Sequence, residues 1–154
     1  MIVTGLDSQQ LAEMRTSGLD HGQNAVEPFT DLEGGWPLRC CLSDSVVGDK
    51  LAIVAWNPFP WRGPFAETGP IVVHVELCDS REHTRVPSQF EHRRQLVRPY
   101  TLDHRIAYDL VTIVEPTESL GDALKHLVRR DDVERVIVRN VLAGCYSFTA
   151  VHHS

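Results

Sequence analysis

His74, Glu76 and Cys78 alternate along one short apolar stretch, Ile71-Val72-Val73-His74-Val75-Glu76-Leu77-Cys78. Read as a strand, its period of two sends Ile71, Val73, Val75 and Leu77 to one face. The base, the carboxylate and the thiol take the other. A thiol beside an imidazole and a carboxylate can be activated as a nucleophile. The same residue types can bind zinc. Equally, they can be a buried thiol on a solvated strand. Residues two apart on a strand are separated by about 6.5–7 Å, so these three line a wall rather than form a self-contained triad.

The loop that feeds this strand, residues 57–70, holds four of the nine prolines. Proline fixes φ and cannot donate to a ladder, so the segment is not a central strand. Phe59, Trp61 and Phe65 ride on it. They can wall a ligand pocket, form a dimer contact or fold back over the core. Arg139 lies among Val136, Ile137, Val138 and Val141, and Arg98 alternates with Tyr100. An arginine inside an apolar strand needs a carboxylate, either a protein partner such as Glu67 or Glu76 or a bound anion.

The cysteines are Cys40, Cys41, Cys78 and Cys145, and no C-x-x-C pair occurs. The usual zinc spacing is therefore absent. Adjacent Cys40 and Cys41 point to opposite faces if extended, so at most one is expected in any site. The N-terminus has neither a basic region nor a long apolar core, which leads us to expect a cytoplasmic chain with reduced thiols. Nucleotide-binding G-x-G-x-x-G and P-loop patterns, H-E-x-x-H and G-x-S-x-G are all missing, and no cofactor is expected.

At 154 residues, with 42% hydrophobic content and a mean hydropathy of -0.18, the chain reads as a single globular domain. No apolar run approaches the ~20 residues that span a bilayer, so no membrane partner is expected. The net charge of -6 argues against nucleic-acid binding. A small-molecule ligand is the expected partner, and a homodimer is left open.

These residues must be positioned by the following elements. Asp7 and Gln10 make a capping-box pattern ahead of Leu11 and Met14, which predicts a helix over 8–17 stopped by Gly18. Leu38–Leu42 is a short apolar piece around Arg39, and Gly48-Asp49 marks a turn. Strands are predicted at 50–56, 71–78, 95–101, 105–114, 135–141 and 145–151, with 95–101 and 105–114 paired as a hairpin through Leu102-Asp103-His104. Residues 79–92 read as a surface excursion. Leu120, Ala123, Leu124, Leu127 and Val128 follow the spacing of a helix lying on a core, with Arg129 and Arg130 in its last turn. The pattern is α+β: a mostly antiparallel sheet of about five to seven strands, an N-terminal helix and one longer helix late in the chain.

Three stretches carry a resemblance: Pro37–Leu42, Pro64–His74, and Val138–Val141 with Gly144–Phe148. Together they resemble the family of small bacterial proteins known as domain of unknown function 1203. The resemblance implies no activity or cofactor. It does imply that the three motifs converge, so that Arg39, Glu67, His74, Arg139, Asn140, Cys145 and Tyr146 surround one cavity.

The reading that follows is a small enzyme acting on a small polar or anionic metabolite. His74 would be its acid/base. Glu67 or Glu76 would orient His74, and Cys78 or Cys145 would be a nucleophile. Arg39, Arg98, Arg139, Asn140, Tyr146 and Trp61 would bind substrate. The alternatives are a non-catalytic binding or interaction module built on the 57–70 loop, and a zinc protein using His74 and cysteines.

Overall fold

The computed structural model describes residues 1–79 and 82–153. Residues 80 and 81, part of the expected surface excursion, lie outside the described residues, as does residue 154. The chain divides into two compact units. One comprises Gly5–Arg62 and Ala66–Arg81; the other comprises Met1–Thr4, Gly63–Phe65 and Glu82–Ser154. The fold is α+β, with antiparallel sheets of three and five strands.

In the first unit, α1 spans Ser8–Ser17, as its local signals predict. Asp7 Oδ1 accepts from the Gln10 N–H at 2.8 Å, satisfying an amide that the first turn leaves without a helical partner. Gly18 stops the helix at φ 70°, a left-handed conformation that glycine adopts without a Cβ clash. Strand β2 is Phe29–Thr30, β3 is Lys50–Trp56 and β4 is Gly69–His74, in the order β2-β3-β4. The nearly all-apolar β3 is the central strand, and Leu51, Ala52, Val54 and Trp56 are buried.

The predicted strand 71–78 is corrected here: β4 ends at His74. His74 pairs with Leu51, and the Val75 N–H reaches Lys50 O at 3.0 Å. Lys50 is the first residue of β3, so beyond it the ladder has no partner. The chain bends at 75 and 76, Glu76 is exposed, and Leu77 is 89% exposed. The alternation that grouped His74, Glu76 and Cys78 therefore stops before it can place them.

The second unit holds β1 (Ile2–Thr4), β5 (Gln95–Thr101), β6 (Thr112–Val114), α2 (Leu120–Val128), β7 (Val133–Asn140) and β8 (Tyr146–Val151). Its sheet runs β1-β8-β7-β5-β6, with every pairing antiparallel. Helix α2 is capped by Ser119 Oγ and buries Leu120, Leu124, Leu127 and Val128, the stripe the spacing predicts. It stops at Val128, so Arg129 is its C-cap, and the basic residues of the last turn are Lys125 and His126. The expected hairpin forms, but not as one ladder. A 3-10 turn at Tyr108–Leu110 interrupts the returning arm, which meets β5 at an isolated Tyr100–Ile106 bridge before it and along Thr112–Val114 after it. Strands β1 and β2 have three and two residues, too short to leave a periodic signal, and bring the count among the described residues to eight. No described helix is long and apolar enough to cross a membrane.

Candidate metal centre

The site lies where the free edge of β4 meets a turn. Among the described residues, sheet order leaves one side of β4 without a strand neighbour. An edge strand presents unpaired N–H and C=O groups that must find other partners. Here the 37–44 turn supplies them: the Arg39 N–H donates to Val72 O at 3.0 Å, and the His74 N–H donates to Cys40 Sγ at 3.3 Å. The turn is closed by an antiparallel bridge from Pro37 to Asp44 and by the Leu38 N–H on Ser43 O at 2.9 Å. Leu42 completes it at φ 56°, a left-handed conformation that is costly for a γ-branched residue. The segment read from sequence as a short apolar piece is thus a tight turn. Gly5 and Leu6 brace it from behind. The Leu6 N–H donates to Arg39 O at 3.2 Å, and a Cβ at Gly5 would run into that same carbonyl oxygen.

This geometry overturns the expectation that at most one of Cys40 and Cys41 joins a site. The alternation argument applies to extended backbone; in the turn both sulfurs lie 3.7 Å from His74 Nδ1. Cys78, brought back by the bend after β4, completes the group. The three Sγ atoms and a His74 ring nitrogen all lie within 4.8 Å of one another. With Zn–S of about 2.3 Å and Zn–N of about 2.0–2.1 Å, a tetrahedron has edges of about 3.8 Å between sulfurs and about 3.6 Å between sulfur and nitrogen. The two sulfur–nitrogen distances of 3.7 Å match such an edge, and the whole group lies within 4.8 Å. Cys40 is buried, and Cys41, His74 and Cys78 are half-buried.

The surroundings complete the fit. His74 Nε2 is 3.1 Å from Asp49 Oδ2. A carboxylate accepts only, so Nε2 carries a proton, and in the neutral ring Nδ1 then turns its lone pair toward the sulfurs, the arrangement that orients metal-bound histidines. Asp49 is held in turn by the Val46 N–H on Oδ2 at 2.9 Å. That bond, and then the one from His74, keeps its carboxyl below the usual range. On the other flank, Arg15 Nη2 donates to His74 O at 3.1 Å and to Cys78 Sγ at 3.6 Å. Ser43 Oγ is 2.9 Å from Cys41 Sγ. Among the thiols, Cys41 is pulled down by hydrogen bonds from Cys40 and Cys78. Cys40 is pushed up by its bonds to Cys41 and Cys78, and by burial. At Cys78 the Cys40 bond lowers, but the Cys41 bond and burial outweigh it and the thiol moves up.

Of the residues singled out from sequence, His74 and Cys78 are in this cluster. The carboxylate on His74 is Asp49, not Glu67 or Glu76; both glutamates are exposed. Arg39 Nη1 donates to Pro37 O at 2.7 Å and helps hold the turn. Trp61 packs on Phe59, with ring centroids 5.2 Å apart, in the same unit. Arg98, Arg139, Asn140, Cys145 and Tyr146 belong to the other unit. There, Arg98 lies over the Tyr100 ring at 6.0 Å, and Arg139 Nη1 donates to Gly144 O at 3.0 Å. Asn140 Oδ1 accepts from the Leu142 and Ala143 N–H groups, Cys145 Sγ meets Ala143 O at 3.8 Å, and Tyr146 bonds Thr149. Sequence reasoning missed Cys40, Cys41, Asp49 and Arg15 as members of the site. The Pro37…Asp44 and Gly48-Asp49 turn residues were the available signal.

A family model described as "Protein of unknown function (DUF1203)" matches residues 35–151. The chain belongs to that family. The matched span contains all four cluster residues and Asp49, while α1 with Arg15 precedes it. No curated protein and no solved structure matches the chain.

Proposed function

We propose that this member of the DUF1203 family is a zinc-binding protein in which Cys40, Cys41 and Cys78 Sγ and His74 Nδ1 hold one Zn2+. The observation that carries the reading is the convergence of these four ligand atoms within 4.8 Å. Three thiolates and a neutral imidazole are a soft donor set suited to zinc in a tetrahedral shell. Four protein ligands fill that shell and leave no open position for a hydrolytic water, so the ion is structural. Bound there, it would cross-link the 37–44 turn, the end of β4 and the bend after it. Three thiolates around a dication leave one negative charge, which the Arg15 guanidinium beside Cys78 offsets.

The test is metal analysis of protein purified without chelator or affinity tag. One zinc per chain is expected, falling below 0.2 or so in Cys78→Ser. Protein that stays metal-free after reconstitution with zinc sinks the proposal.

One observation favours a second reading. Cys41 Sγ, His74 and Asp49 form a thiol–imidazole–carboxylate series, with steps of 3.7 and 3.1 Å. In a metal-free protein that series could activate Cys41 as a nucleophile. Iodoacetamide would then modify Cys41 ahead of Cys40 and Cys78, and His74→Ala would abolish the preference.

A further inference from the structure

The thiols of the cluster are free, and they are not equivalent. Cys40 is buried, and its Sγ accepts the His74 N–H at 3.3 Å, a bond that seats the 37–44 turn on the edge of β4. Cys41 and Cys78 are half-buried, so solvent reaches both. Cys41 Sγ has Ser43 Oγ at 2.9 Å. Cys78 follows the bend at 75 and 76 and lies outside both sheets. Its neighbour Leu77 is 89% exposed, so little apolar packing resists a small movement of that stretch.

Geometry selects the pair of sulfurs that can join. A disulfide needs Cα atoms about 4.4–6.8 Å apart. Cys40 and Cys41 are consecutive across a trans peptide bond, which holds their Cα atoms at about 3.8 Å, so a bond between them is strained. Each can instead meet Cys78, whose Sγ lies within 4.8 Å of both. Of the two, Cys41 is the one that solvent reaches, and the turn can give up its sulfur without losing the Cys40 contact to β4. Cys145 belongs to the other unit.

We infer that the cluster is a modification site for hydroperoxides, which join Cys41 to Cys78 and eject the metal. The ejection rests on the zinc reading; the disulfide does not. The Cys41 thiolate attacks the terminal peroxide oxygen, an S–O bond forms, and the O–O bond breaks. The leaving alkoxide, or hydroxide from hydrogen peroxide, takes a proton from solvent. The Cys78 thiolate then attacks the Cys41 sulfur, the S–S bond forms, and the S–O bond breaks. Hydroxide leaves and is protonated to water. The two sulfurs have together lost two electrons, and the peroxide has gained them. Cys40 and His74 alone keep half of a tetrahedral shell, so the ion leaves. A dithiol reverses the bond by exchange and is itself oxidised. In the oxidised form a covalent bond ties the turn to the bend, where coordination ties them in the zinc form.

The test exposes zinc-loaded protein, cleared of reductant, to excess hydrogen peroxide. A chromophoric chelator reads released zinc, and iodoacetamide alkylation with fragment mass spectra reads the sulfurs. The bound zinc should be released in step with a Cys41–Cys78 disulfide within one chain, while Cys40 and Cys145 stay open to alkylation. Dithiothreitol and added zinc should restore the starting state. Cys145→Ser should release zinc at the wild-type rate, and metal-free Cys78→Ser should stop at a Cys41 sulfenic acid that dimedone traps. Metal-free wild type run in parallel separates disulfide from ejection. A chain that never holds zinc yet closes Cys41–Cys78 ends the zinc reading and supports the modification site. A Cys40–Cys41 bond, a bond between chains or to Cys145, zinc release without a disulfide, or thiols that all survive the peroxide would each overturn the inference.

Discussion

Two cysteine-bearing turns, 37–44 and 140–146, carry similar residue types and do opposite things with them. The second turn satisfies itself. Asn140 Oδ1 takes the Leu142 and Ala143 N–H groups, the Gly144 N–H returns to Asn140 O, and the Asn140 N–H meets Cys145 O. Arg139 spends a donor on Gly144 O, and the Cys145 thiol has, among the described residues, only a carbonyl of its own loop. The first turn closes its backbone with a bridge and then directs its side chains at a distant strand. Its sulfurs find an imidazole thirty-odd residues away in sequence, held by a carboxylate from yet another turn. A cysteine in a turn thus becomes part of a site only where the turn docks on an edge that brings other ligands to it.

Metal removal should separate the two turns most sharply. Cys40→Ser or Cys78→Ser is expected to abolish zinc stoichiometry and to cost much of the stability of the unit formed by residues 5–62 and 66–81. Structural zinc binding is worth on the order of 10 kcal/mol in small domains whose folding depends on it. Cys145→Ser should leave the zinc content unchanged and stability within about 0.5 kcal/mol, as for an ordinary surface change. Metal analysis and thermal denaturation read both outcomes. A Cys145 variant that loses zinc would end the distinction.

The next contrast uses glycines. Gly5→Ala drives a methyl into the Arg39 carbonyl that holds the first turn, and overpacking of this kind costs about 1–3 kcal/mol. Gly144→Ala meets nothing within 4 Å and bears only the strain of φ 73°, about 1 kcal/mol. Denaturant midpoints should rank them in that order, and only Gly5→Ala should weaken zinc binding.

Smaller effects refine the first turn. Asp49→Asn removes the carboxylate on His74 Nε2 and should weaken zinc about 10–100-fold in competition with a chromophoric chelator. Arg15→Gln keeps a donor but loses the charge beside Cys78, and a loss of several-fold is expected. On the second turn, Asn140→Ala should cost about 1 kcal/mol through its two backbone bonds, without moving zinc affinity at all.

Local chemistry made much of the fold legible. Asp7, Gln10 and Gly18 bound α1, the stripe from Leu120 to Val128 marks α2, and the apolar run at 50–56 and the β-branched run at 135–141 mark β3 and β7. Each signal acts over a few residues, so no knowledge of the tertiary structure is required. The ends of elements were less legible where a distant partner decides them. β4 stops at His74 because β3 begins at Lys50, and nothing between 74 and 78 announces it. Among the site residues, His74 and Cys78 stood out by type, and zinc was one of the chemistries those types allow. The expectation that at most one of Cys40 and Cys41 joins a site assumes extended backbone, and Leu42 at φ 56° is the kind of exception that residue preferences hide.

By itself the sequence determined the α+β class, the capped N-terminal helix, the resemblance carried by its three motifs, and a supply of thiols, imidazole and carboxylates without any familiar metal spacing. Only the tertiary structure decided which of them meet. Coordination needs atoms a few ångströms apart, and here that proximity comes from the order of the strands. Because β4 is an edge strand, the 37–44 turn can hydrogen-bond along it, and this places two sulfurs against His74 while the bend returns a third.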